Sequence, residues 1–193
     1  MTTALQVPRR MLLAFAALLV LAAMAPAAAS ASGSSYTELV PKTETVNALV
    51  GLGVTPSPAP GNMPADSFRF PITNSFLSAI VNRQIRHSGG INLTAGAKVV
   101  TLRNFNINTG RTPNVSGQVL LNGDLPFGAA PVKLLDLNFA GANIRINGGY
   151  LRIGPVTGTL SAEAAGALSL PAVFGAPNLT GAELGKLTIN RKL

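Results

Sequence analysis

The chain of 193 residues contains no cysteine, no tryptophan, one histidine and two tyrosines. Without cysteine there are no disulfides, thiolate metal sites, thiol nucleophiles or lipid-modified cysteine, so stability must come from packing. A single imidazole leaves little for histidine-rich metal sites, and the sparse aromatics leave little for stacking on sugars or nucleobases. Charged residues make up only 11% of the chain, against about 25% in ordinary soluble domains. Asn, Thr, Ser and Gly carry the polarity instead, as suits exported β-structure.

What is present begins with a leader. Arg9 and Arg10 form a positive start, Met11 to Ala25 is apolar, and small residues follow from Ala27. Ala29-Ser30-Ala31 fits the A-x-A cleavage pattern, which assigns residues 1–31 to a signal peptide, with a cut after Ala29 as the alternative. The apolar run is short of the ~20 residues of a membrane span, so membrane contact is expected only if the leader stays uncleaved. Pro8 before the arginine pair and the strongly apolar run favour general secretion over the twin-arginine route. Cleavage removes Arg9 and Arg10 from the 15 basic residues and none of the 7 acidic ones, taking the net charge from +8 to about +6. The remaining bases are scattered singly, apart from Arg191-Lys192, which reads as a solvated β-surface rather than a specific nucleic-acid site.

Residues 32–193 read as one β-rich domain. Ile91 and Leu93 alternate with Asn92 and Thr94, and Val100 and Leu102 alternate with Thr101 and Arg103, the period of a half-buried strand. Ala95 to Lys98 is hairpin-sized, with Gly96 able to take positive φ. Leu102 and Phe105 lie on opposite phases, so a bulge near Arg103-Asn104 is expected. Pro56, Pro58 and Pro60 exclude a central strand over 54–61. Further strands are expected over 36–40, 68–72 and 115–121, around Leu135 to Phe139, over 144–147, from Leu151 to Ile153 after a Gly148-Gly149 turn, and near Leu187 to Ile189. Residues 43–51 and 161–168 are expected to be short helices, the first with Thr43 as N-cap. Phe76, Leu77, Ile80 and Val81 have helical spacing, but the stretch is short and reads as a turn leading into a strand. The expected fold is all-β, an antiparallel sandwich or open barrel with two short helices, with Leu102, Phe105, Leu135, Leu137, Ile144, Ile146 and Ile189 buried.

The motifs Phe70-Pro71-Ile72-Thr73, Ile85-x-His87-Ser88-Gly89-Gly90 and Val100-x-Leu102-x-Asn104-Phe105 come in a distinctive order. They follow a helix ending in Leu52-Gly53-Val54 and precede an Ala-rich stretch, Phe174 and Leu184-Gly185-x-Leu187-Thr188. This pattern resembles a group of secreted actinobacterial β-rich proteins and is more distantly similar to the HtaA domain, a bacterial cell-surface module associated with haem uptake. The resemblance implies a cell-envelope location and offers His87 as a haem ligand, with Tyr36 and Tyr150 as the tyrosines available for a second ligand.

The residues themselves leave two roles open for His87: a ligand nitrogen, or a ring that hydrogen-bonds the turn and holds the strand entry. Catalytic chemistry has little support. A Ser-His-Asp site would have to use His87, whose sequence neighbour Ser88 rarely gives triad geometry, and there is no Gly-x-Ser-x-Gly elbow. Glu44 and Glu163 read as helix-start residues and Asp136 as an outward strand position, so no carboxylate pair stands out. The expectation is a secreted, non-catalytic binding or structural module of the cell envelope without a cofactor; the alternative is an HtaA-like haem-binding domain.

Overall fold

The computed structural model describes residues 34–63, 65–126, 128–167 and 179–193; the leader and Phe174 lie outside them. From Ala31 onward the chain clusters into one compact unit. In chain order, β1 (Tyr36–Pro41) is followed by α1 (Thr43–Gly51), β2 (Thr55–Ala59), β3 (Phe68–Pro71), α2 (Phe76–Asn82) and β4 (Gln84–Arg86). Next come β5 (Gly90–Ala95), β6 (Lys98–Asn108), β7 (Asn114–Leu121), β8 (Val132–Asn138), β9 (Asn143–Asn147) and β10 (Tyr150–Leu160). The last two are α3 (Ala162–Ala167) and β11 (Glu183–Lys192).

The strands form one antiparallel sheet in the order β2-β5-β6-β7-β8-β10-β11-β1-β3, with β4 also on β6 and β9 also on β10. The sheet curls until its far side meets β4 at a single bridge, Ile72 to His87. Flanking bonds run from Thr73 N–H to the Arg86 carbonyl (2.8 Å) and from Ser88 N–H to the Pro71 carbonyl (3.0 Å). The result is an all-β, nearly closed antiparallel barrel. Alternation turns Leu39, Phe70, Ile107, Val115, Leu135, Leu137, Val156, Leu187 and Ile189 inward, where all are buried. The upper end carries α1, α3 and the β2–β5 flap; the lower end carries α2 and the β9–β10 hairpin.

Local sequence explains most of these elements. The β5–β6 register closes at Ala95–Lys98, with Gly96 at φ +58. β6 slips register against β7 between Arg103 and Asn106, and Asn104 takes φ +55, so this bulge brings Phe105 and Ile107 onto the core face. Proline-rich β2 is an edge strand, pairing only with β5.

Three expectations need correction. Residues 76–82 form a helix rather than a turn and strand: the Ser75 hydroxyl accepts the Ser78 N–H at 3.2 Å, and Arg83 stops it in the left-handed region. The described helices are therefore three. The N-cap of α1 is Lys42, which caps with no side chain; Thr45 instead donates its hydroxyl to the Glu183 carbonyl at 2.7 Å. Ile144 and Ile146 are not buried but 71% exposed each. Among the described residues their strand pairs only with β10, and no neighbour covers the inner face of the hairpin there. Leu102 is half-buried against the core, while Phe105, Leu135, Leu137 and Ile189 are buried as expected.

Candidate functional site

His87 sits where the barrel closes, and its position follows from the glycines after it. Gly90 pairs with Arg103, and a Cβ there would run into the Leu102 carbonyl oxygen. Gly89 takes φ +78, and Asn62 Oδ1 accepts the Gly90 N–H at 2.7 Å. The tight turn that results holds His87 in β-pairing, with its N–H donated to the Phe105 carbonyl at 2.8 Å.

The imidazole points into the barrel and is 5% exposed. Nδ1 lies 3.2 Å from the Phe105 carbonyl oxygen and Nε2 lies 2.7 Å from Thr37 Oγ1. A carbonyl only accepts, so Nδ1 carries the proton; Nε2 then accepts from the Thr37 hydroxyl. Burial pushes the His87 pKa down to about 4, the Phe105 carbonyl opposes that shift, and the Arg191 charge adds to it. The ring is therefore neutral near pH 7, and both nitrogens are engaged.

Above this pair is an apolar cavity of about 80 Å³. Phe70, Phe105, Leu135 and Leu187 line it within the barrel, and half-buried Ile91, Leu102 and Leu184 form part of its wall. Among the described residues, Thr37 and His87 are the only lining residues with polar side chains.

Below the pair is Arg191, on the inward row of β11 after Leu187 and Ile189 and 7% exposed. One Nη2–H donates to the Asn74 carbonyl at 2.6 Å, and the guanidinium lies 6.0 Å from the Phe76 ring centre. Its register partner on β10 is Leu151.

The two tyrosines stand elsewhere. Tyr36 precedes Thr37, so its side chain lies on the outer face, under the Arg69 guanidinium at 5.2 Å. Tyr150 pairs with Lys192, on that same outer face. His87 and the tyrosines thus occupy opposite faces of the sheet and do not converge on one site. The register gathers Arg145, Arg152, Lys192 and Arg69 on this outer face, although they are scattered in sequence. Partial burial pushes the Glu38 pKa up, but the Ser67 hydroxyl and Arg69 outweigh it and hold the carboxyl below its usual range. Among the described residues, no three His, Asp or Glu side chains come together as a metal site.

Taken together, these features define a small antiparallel barrel module with an apolar interior and a locked histidine. No protein-family model matches the chain, and no curated protein matches it. Among solved structures it is similar to the crystal structure of the C-terminal domain of HtaA from Corynebacterium glutamicum, with a TM-score of 0.57 and 16% identity. The match covers 83% of this chain and 97% of that domain. At this identity the likeness is one of fold. The residues present do not fit a haem held by His87 with Tyr36 or Tyr150: the imidazole has no free nitrogen and the phenols lie on the opposite face.

Proposed function

We propose that the protein is an exported, non-catalytic binding module of the cell envelope that takes a small apolar ligand into its barrel. The observation that carries this reading is the apolar cavity of about 80 Å³ in the core, where tight packing is the rule. The leader read over residues 1–31 and the fold shared with an HtaA domain support export and an envelope location. His87 supports a non-catalytic role, since the only imidazole of the chain is neutral, buried and bonded at both nitrogens.

The test is ¹²⁹Xe NMR of the purified chain in solution, because a cavity of about 80 Å³ has room for a single xenon atom. One xenon per chain is expected, with affinity weakened at least tenfold by Leu184→Trp, which fills the cavity from a half-buried wall position. Absence of xenon binding, or binding indifferent to Leu184→Trp, contradicts the reading. Haemin titration of the same material should leave the Soret band unshifted; a sharp shift abolished by His87→Ala would establish haem binding in its place.

A further inference from the structure

The lower end of the barrel holds a cation that no acidic side chain among the described residues pairs with. Arg191 is 93% buried, yet its Nη1 has no hydrogen-bond partner. The ion pairs among the described residues are Lys42–Glu183, Arg69–Glu38, Lys133–Asp136 and Lys186–Glu183, and none includes Arg191. A guanidinium keeps its charge at any ordinary pH, and a buried donor without an acceptor is costly. Such an atom calls for an acceptor from outside the described residues, an ordered water or a ligand.

The surface around Arg191 is apolar and open. On α2, Phe76 is 41% exposed, Ile80 58%, and Leu77 and Val81 71% each. On the other side the inner face of the β9–β10 hairpin carries Ile144 and Ile146, opposite Ile153 and Leu151. Leu151 pairs with both Ile146 and Arg191, so this apolar face runs up to the guanidinium, and Phe76 reaches it from α2. Isolated exposed apolar residues are ordinary; this many on one seven-residue helix and one hairpin face mark a binding surface.

We propose that this end of the barrel binds an anionic amphiphile of the fatty-acid type, its carboxylate on Arg191 and its chain against α2 and the inner face of the β9–β10 hairpin. A carboxylate fits better than a phosphate. One terminal nitrogen of Arg191 is already held by Asn74, and no second base shares the inward rows of β10 and β11. A single carboxylate charge balances this single cation, whereas a phosphate monoester carries about −1.5 to −2. Phe76 is the side chain the head group has to displace. The site is separate from the core cavity, whose lining does not include Arg191.

Calorimetric titration of the purified chain with decanoate, 1-decanol and acetate tests this. Decanoate should bind at one per chain, with the alcohol and acetate each at least tenfold weaker. Arg191→Met should weaken decanoate at least tenfold, to the level of the alcohol, while leaving xenon binding in the core unchanged. Ile144→Ser with Ile146→Ser, both at exposed positions, should weaken it similarly with Arg191 intact, which keeps the test valid should Arg191→Met fail to fold. The proposal is overturned if decanoate does not bind, or if it binds Arg191→Met as well as the parent. Sedimentation showing a dimer that the double serine variant dissolves would also overturn it, making the patch a contact between copies.

Discussion

His87 shows what a residue's neighbours decide. The sequence places an imidazole beside Ser88-Gly89-Gly90, and both a ligand and a structural role are compatible with that. The deciding partner, Thr37, is 50 residues away, and only barrel closure brings its hydroxyl within 2.7 Å. Desolvation then lowers the ring's pKa to about 4, from 6.5 in the unfolded chain. Between these values the unfolded state takes up a proton that the folded state refuses, so folding stability is full above about pH 6.5 and falls as pH falls towards 4. The loss amounts to about 3 kcal/mol over the window. Denaturant melts from pH 7.5 to 4 should show it, and His87→Gln should remove most of the slope. Because there is only one histidine, its ring ¹⁵N signals need no assignment; a midpoint near 6.5 would mean that the ring is not buried as described.

At the scale of elements, the legible parts are those set by local rules. Alternation in β5 and β6, the Gly96 turn, the bulge that rephases Phe105 and the proline-limited edge strand β2 each follow from a few adjacent residues. The illegible parts depend on what lies opposite. α2 has a serine cap and helical spacing, but its apolar side chains stay exposed at the barrel end, so they give no core signal. Ile144 and Ile146 alternate like core residues, yet among the described residues β9 has a single neighbour and nothing packs over them. Gly90 offers a test of element-level geometry, because its pairing with Arg103 leaves no room for a Cβ beside the Leu102 carbonyl. Gly90→Ala should cost roughly 1–3 kcal/mol. Gly123→Ala, with open space at its Cβ position but φ +94, supplies a contrast: strain without a clash. Chemical denaturation of the two variants separates crowding from backbone strain. Amide exchange should also locate the Gly90 effect in β5 and the first half of β6; an unchanged melt would contradict the close approach.

For the whole molecule, composition and period already indicated an all-β domain, while the choice of barrel over sandwich came from a long-range closure, the Ile72–His87 bridge, that no local pattern encodes. The same closure sets out the surroundings of both candidate sites. It isolates an apolar interior above the Thr37–His87 pair, leaves an unbalanced cation below it, and sends both tyrosines and several scattered bases to the outer face. The central claim is that the interior is an apolar site rather than a polar or catalytic one. Engineered apolar cavities stay free of water and take up benzene or xenon. Diffraction from crystals pressurised with xenon therefore tests the claim most directly. Xenon should be found within the barrel among Phe70, Phe105, Leu135 and Leu187, with the His87 ring still bonded to Thr37 and the Phe105 carbonyl. A cavity that excludes xenon and holds ordered water on a free His87 nitrogen would contradict it.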